Sequence, residues 1–531
     1  MRTALAGTGT LVRLALRRDR VVLPVWTAIF VLLAIFSASA SVDLFPDEAS
    51  RVKAAEAINN SPALIALYGR VYDVTSLGEV SLIKMKGLYA LFLAVLAFFT
   101  LVRHTRSDEE AGRLELVGAG VVGRYAALTA ALIVTGGTGL VIGGLTGLGI
   151  HAVGLPWEGS ILFGLGWFAV ACSAAAIAAV AAQVTESARA ANGIAGAVLA
   201  ISYVLRAVGD TSGPSWLSWL SPLGWALHLR PFAGNLWWVF AVFAAFVAVA
   251  VAAAYVLIAH RDHGAGLIRP RPGPAEAAGW LRSPLALAWR LQRGSLLAWT
   301  LGFLLGGLIM GNIASDIGSI LDSQNARDVI TKMGGVPGLT DAFLAAELGL
   351  LAVIASAYGV QAALRLRSEE TSGRVEPVLA TSVSRPSWAL SHLVIALLGS
   401  ALLTVAAGVG AGVANGTKTG DLAHSFGRVF GAALVQIPAI WVLVGIVALL
   451  FGVVPRWSPF AWVLLVGFLL LGEFGSLFEL NQRVMDISPY AHVPKLPGGQ
   501  MTVMPLVWLA VIALVLTVAG VAGFRRRDIT T

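Results

Sequence analysis

The sequence predicts an all-α polytopic membrane protein: twelve transmembrane helices in two six-helix halves related by a pseudo-two-fold axis, with both termini cytoplasmic. Three observations carry that prediction. Hydrophobic residues make up 57% of the 531 residues and charged residues only 12%, against about half and about a quarter in soluble domains. Apolar stretches of roughly 20 residues, the length that crosses a bilayer core, recur along the chain. The segment RSDEEAGRLE, Arg106 to Glu115, returns as RSEETSGRVE, Arg367 to Glu376.

The repeat is a tandem duplication. Arg106, Ser107, Glu109, Gly112, Arg113 and Glu115 fall without a gap on Arg367, Ser368, Glu370, Gly373, Arg374 and Glu376, and Asp108 falls on Glu369. Other landmarks recur at a similar spacing, Arg17, Arg20, Trp26 and Thr27 on Arg290, Arg293, Trp299 and Thr300, and Ser221-Pro222 on Ser488-Pro489. A period of about half the chain makes each half one complete unit. The expected organisation is 1–260 for the first half, 261–293 for a cytoplasmic linker and lead-in, and 294–531 for the second half.

Taken in order, the first half offers spans near 21–40, 85–103, 125–150, 159–184, 189–208 and 236–259. The second offers 294–313, 346–365, 388–413, 427–454, 458–480 and 504–524. Arg13, Arg17, Arg18 and Arg20 precede the first of these, which is longer than a signal-peptide core and has a matching span after Arg293, so it is expected to remain uncleaved. With an even number of spans the termini share a side. Placing them inside puts about 24 basic residues in the cytoplasm and about 13 outside. Lys84 and Lys86, at an outer boundary, are expected to reach up to the interface.

Between the halves, Pro270, Pro272 and Pro274 stand among charges from His260 to Arg293, a composition that favours an extended linker. Large outer loops, Val42 to Ile83 and Ala314 to Ala345, follow the first span of each half. Amphipathic patterns at Ile58–Tyr68 and Val329–Met333 are expected to lie along the interface.

Several chemistries are disfavoured. The 8 His and the single Cys172 give no disulfide framework and no zinc-type ligand spacing, and Cys172 reads as a small packing residue. The formal charge of +8 flanks apolar spans instead of forming a nucleic-acid patch. The glycine string from Thr135 to Gly149 lacks the phosphate-loop pattern and reads as close helix packing by small residues. No nucleotide-binding loop, catalytic motif or metal motif is visible, so any ATP and Mg would be held by another subunit.

The two acidic segments lie in cytoplasmic loops after spans 2 and 8. As solvated turns their surface ion pairs would contribute about 0–1 kcal/mol each. Near-identity in two otherwise diverged halves points instead to a shared task, such as docking the same partner twice. With the six-plus-six plan and the outer SPLGW (Ser221 to Trp225) and SPYAHVPKLPG (Ser488 to Gly498) segments, the chain resembles, over its whole length, a fused twelve-span permease of the type-2 ABC exporter class. It is similar to the actinobacterial tetronasin-type antibiotic and multidrug exporter membrane subunits.

That resemblance implies a coupling helix in each loop seated on an ATPase subunit, with Asp108, Glu109, Gly112, Arg113 and Glu115, and Glu369, Glu370, Gly373, Arg374 and Glu376, as contacts. It implies two ATPase copies, a bacterial plasma membrane, and an apolar or amphipathic cargo such as a drug or polyketide antibiotic. The chain itself would be no enzyme. The second copy departs from the first at Pro377 for Leu116 and Thr371 for Glu110, so the two docking sites need not be equivalent. The basic, apolar lead-ins Leu11–Arg20 and Leu285–Arg293 read as anchors on anionic lipid, and in the resembling class as interfacial helices that also touch the ATPase.

Ionisable residues inside spans are functional candidates because hydrocarbon penalises them. Arg206 and Glu473 each lie 15 residues before the Ser-Pro landmark of their half, which makes them a candidate gate pair lining the outer end of a pathway. The competing expectations are that Glu473 bonds locally within its own half and that Arg206 snorkels outward past Asp210. The alternative function is a gradient-driven twelve-span secondary transporter, disfavoured by the sparse set of titratable groups within spans.

Overall fold

The computed structural model describes residues 4–113, 122–211, 214–262, 264–268, 273–320, 335–474 and 481–529. Among these there is no strand. Twelve helices are long and apolar enough to cross a membrane. Numbered as spans 1 to 6 they are Val22–Val42, Met85–Glu110, Ala126–Ala152, Trp157–Val184, Ala188–Thr211 and Val239–Ala259. Spans 7 to 12 are Pro284–Ala314, Thr340–Thr371, Arg385–Thr419, Leu422–Val453, Pro455–Gly472 and Val503–Arg526. Each stretch read from the sequence falls on one of them, although residues 475–480 of the eleventh lie outside the described residues.

The chain divides into two compact units, Met1–Gly273 and Pro274–Thr531, each with its own core. In the first unit span 4 is the most buried helix, and it packs on spans 2, 3, 5 and 6. Its contact with span 3 is made by the glycine string. A Cβ on Gly143 would stand 2.2 Å from the Gly164 carbonyl oxygen, and one on Gly164 equally close to the Gly143 oxygen. Only glycine lets the two backbones approach this closely.

At one end of this unit the chain gathers five segments. The N-terminal carbonyls of Ala4 and Ala6 accept from Tyr125 and Gly123 before span 3. Arg124 donates to the Ile258 and Arg261 carbonyls at the end of span 6, and Arg106 to the Ala182 carbonyl at the end of span 4. The other end carries the segment after span 1, folded as helices Glu48–Asn59, Pro62–Tyr68 and Leu77–Ser81. The single interfacial pattern expected over Ile58–Tyr68 is therefore broken. Ser61 Oγ accepts from the Leu64 amide and Pro62 takes the first helical position, a start signal that ends the preceding helix. Its expected counterpart at 329–333 lies outside the described residues.

One expectation is corrected here. Lys86 does not reach for the interface: span 2 opens with a π-turn over Met85–Tyr89, and this carries the lysine inward to Glu79 Oε1 at 2.6 Å, with both side chains sealed from solvent. A buried counter-charge, which also accepts from the Tyr72 amide, replaces the water that the ammonium would otherwise seek. Lys84 does stay exposed, 6.0 Å from the Tyr68 ring.

The lead-ins differ between the units. In the first, Thr8–Arg18 is a separate helix, and span 1 begins again at Val22. In the second, the stretch from Leu285 to Arg293 is continuous with span 7 in one helix, Pro284–Ile320. Buried Asp19 sits at the first unit's break, accepting from His104 Nε2 at 2.6 Å and Arg103 at 2.9 Å.

Candidate functional site

The repeated acidic segment folds the same way in both units. After span 2 has run its apolar course, Arg106–Glu110 forms a single helical turn that ends at Gly112, whose φ is 69° and whose amide donates to the Glu109 carbonyl at 3.0 Å. In the second unit Arg365–Thr371 ends at Gly373, with φ 68° and its amide on the Glu370 carbonyl at 3.0 Å. A left-handed residue closes each turn, and glycine adopts it without a Cβ clash.

The glutamates are held by a residue that sequence reading did not single out. Arg261, two residues beyond span 6, donates to both carboxylate oxygens of Glu109 at 2.6 and 2.8 Å. The Gly264 amide adds a third bond at 2.7 Å, and Arg106 lies 3.1 Å away. In the second unit Arg527, just beyond span 12, donates to both oxygens of Glu370 at 2.6 and 2.7 Å. Such fork-to-fork pairs are the strongest charge-assisted hydrogen bonds available to side chains. Each unit thus ties its acidic turn to the end of its own sixth helix. The signal was present in the sequence, since Arg261-Asp262 recurs as Arg527-Asp528 at the spacing of the other repeats, and each arginine also donates to the carbonyl of the following aspartate.

The surrounding groups divide into holders and free ends. Arg106 is sealed from solvent and donates to the Ala182 carbonyl through Nε at 2.9 Å and Nη2 at 2.6 Å. Span 4 leaves that carbonyl without a helical partner at its end. Asp108 bridges Arg18 of the N-terminal helix at 2.6 Å and Arg113 at 2.9 Å. Its counterpart Glu369 stays local, on Arg365 at 2.7 Å and Arg374 at 3.6 Å.

Arg113 and Arg374 themselves remain 58% and 61% exposed, and Glu376 is exposed at the start of helix Val375–Leu379. Glu115 lies outside the described residues. The departure at Glu110 has a structural meaning, because its carboxylate accepts from the Ala188 amide at the start of span 5 at 2.9 Å. Thr371 instead turns back on the Arg367 carbonyl.

The proposed gate residues are placed differently. Arg206 is buried in its own unit, donating to the carbonyls of Ile65 at 3.3 Å and Ala66 at 2.8 Å, with Asp210 at 3.7 Å and the Tyr203 ring at 4.4 Å. It therefore closes the C-terminus of helix Pro62–Tyr68, where a cation complements the free carbonyls. Glu473 lies in helix Ala461–Phe474, but its side chain lies outside the described residues. Among the described residues no group of three or more His, Cys, Asp or Glu side chains is placed to hold a metal ion.

The sequence model of the family described as "Multidrug efflux system permease Rv1217c, C-terminal domain" matches residues 9–259 and 281–525. The multidrug efflux system permease protein Rv1217c of Mycobacterium tuberculosis (strain ATCC 25618 / H37Rv) is 46% identical over 525 residues, spanning 98% of this chain and 95% of that protein.

Proposed function

Because the chain belongs to the family of the multidrug efflux system permease Rv1217c, we propose that this multi-pass plasma-membrane permease is the translocating subunit of an ATP-driven exporter. The ATP and Mg would be bound by a separate ATPase subunit. Two copies of that subunit would dock on the turns at 106–115 and 367–376, and the fused halves would replace a pair of six-span subunits. Both turns would face the cytoplasm, as the distribution of basic residues favours.

The observation that carries this reading is one turn built twice, with the same clamp to a sixth helix and the same exposed arginine, Arg113 or Arg374. A surface decoration would have no reason to keep Glu109 with Arg261 and Glu370 with Arg527 through the divergence of the halves. A turn bolted to a spanning helix passes on displacement. Nucleotide-driven closure of the ATPase copies would then shift the spans, provided the ATPase binds one conformation more tightly than the other. The cargo would be an apolar or amphipathic compound, of the kind the relative's name calls a drug, since the described spans offer few unpaired charges to a strongly polar one.

The test is retention of the ATPase. Arg113→Glu with Arg374→Glu changes the most exposed partners of Asp108 and Glu369 and should release a co-purifying ATPase while the permease still elutes as the wild type does. Undiminished retention would place docking elsewhere, and transport by this chain alone in ATP-free vesicles under a proton gradient would make it a secondary transporter.

A further inference from the structure

On the first unit's N-terminal helix Arg13 and Arg17 stand four residues apart and share one face, and Arg20, in the turn that follows the helix, borders the same depression. All three are exposed, and among the described residues none is in an ion pair, whereas Arg18, off that face, is engaged by Asp108. They border a depression of about 470 Å³ that shares Val12, Leu16 and Arg20 with a second, apolar furrow of about 770 Å³. The furrow runs between span 1 and span 3, past Leu23, Thr27 and Val31 on one wall and Gly137, Val141 and Leu145 on the other.

From Leu23 to Leu32 the furrow follows span 1 for about 14 Å at 1.5 Å per residue, close to half of a bilayer core roughly 30 Å thick. It is therefore one leaflet deep. The acid that borders the furrow, Asp19, is paired with Arg103 and hydrogen-bonded to His104, so its charge is already matched.

Three unpaired cations at the mouth and an apolar slot of one leaflet's depth below them are complementary to a molecule with an anionic head and a chain of that length. We propose that this is a binding site for an anionic phospholipid, its phosphate on Arg13, Arg17 and Arg20 and one acyl chain between spans 1 and 3. The site belongs to the first half alone. Ala286 stands in the second half where the repeat places Arg13, and the lead-in there is continuous with span 7. The proposal does not rest on ATP-driven export.

The experiment is native mass spectrometry of the delipidated full-length chain, titrated with phosphatidylglycerol and with phosphatidylcholine of identical chains. Phosphatidylglycerol should be retained preferentially, and Arg13→Gln/Arg17→Gln/Arg20→Gln should weaken it roughly tenfold to a hundredfold. Arg290→Gln/Arg293→Gln should leave it unchanged. Gly137→Trp, at a furrow-lining position where an added Cβ meets nothing within 4 Å, should fill the furrow and weaken the lipid as well. Should that variant not fold, Val141→Trp fills the same space.

Equal loss in the two arginine variants, or undiminished phosphatidylglycerol after the triple change, would overturn the proposal. So would full competition by inorganic phosphate, which would mean a phosphate site without an acyl seat. If filling the furrow slowed transport of an apolar dye and left lipid retention intact, the furrow would be a cargo passage and the lipid site would be wrong.

Discussion

Arg527 holds Glu370 through two parallel hydrogen bonds of 2.6 and 2.7 Å while its guanidinium lies over the rings of Phe451 and Phe524, at 4.9 and 5.1 Å. The fork fixes the angle of the carboxylate, and the rings fix the plane of the fork. Neither constraint is available to a point charge on a flexible stem. An acidic turn on the surface is thereby fastened to the last helix of its half, as Glu109 is fastened through Arg261 to span 6.

Arg527→Lys should accordingly behave as a loss, with a lower Tm and weaker retention of the proposed ATPase. Arg527→Gln leaves a buried carboxylate unpaired and should cost about 3–5 kcal/mol. Glu370→Gln combined with Arg527→Gln should cost less than the two single changes added together. Thermal melts of the purified permease read all three, and wild-type behaviour of Arg527→Lys would show that the fork geometry is not what holds the turn.

Gly112→Ala and Gly373→Ala test the turn itself. An added methyl group meets nothing within 4 Å at either position, so the penalty is backbone conformation alone, about 1–2 kcal/mol each. The expected result is a modest fall in Tm with a larger loss of the proposed ATPase-coupled transport. Equal, mild effects on both would mean the turn's shape matters only for folding.

In the segment between spans 1 and 2, Lys86→Met should destabilise the first unit by about 3–5 kcal/mol, because it leaves the buried Glu79 carboxyl without its partner. Lys86→Met with Glu79→Gln removes both charges and should recover much of that loss. If the double variant melts no higher than the single, the lysine contributes through packing of its stem and not through the pair.

His228 gives stability a pH dependence. Burial holds its imidazole below the ordinary histidine range; Asp210 opposes that shift and Arg230 adds to it. The folded state therefore keeps the ring neutral, while the unfolded chain takes up a proton near pH 6.5. Stability from this group is complete above about pH 6.5 and is lost as the pH falls through the lower, folded pKa. The Tm should decline between about pH 7.5 and about pH 5.5. His228→Phe, which can keep the stack on Trp219 at 4.4 Å and 7°, should decline less. Identical slopes would assign the effect to other groups.

The spans and their duplication were legible because twenty apolar residues and a repeated ten-residue string are local patterns that tertiary packing does not override. The candidate site was legible only in part. Repetition marked Glu109 and Glu370, but it could not say that their carboxylates turn inward, since a buried acid and an exposed one look alike until the partner is known. Arg261 and Arg527 were overlooked because one cation after an apolar span is the ordinary topological signal. Lys86 was misread for a related reason. Its partner, Glu79, stands in what reads as a loop, and only the π-turn at the head of span 2 brings the two together.

The 37-residue helix Pro284–Ile320 is a rod about 55 Å long at 1.5 Å per residue, whereas its counterpart is jointed between Arg18 and Val22. A rod swings both its tips whenever either is nudged; a joint soaks up part of the push as bending. Equal strokes at the two turns, were a partner to deliver them as proposed, would therefore yield unequal swings, one half stiff and the other yielding.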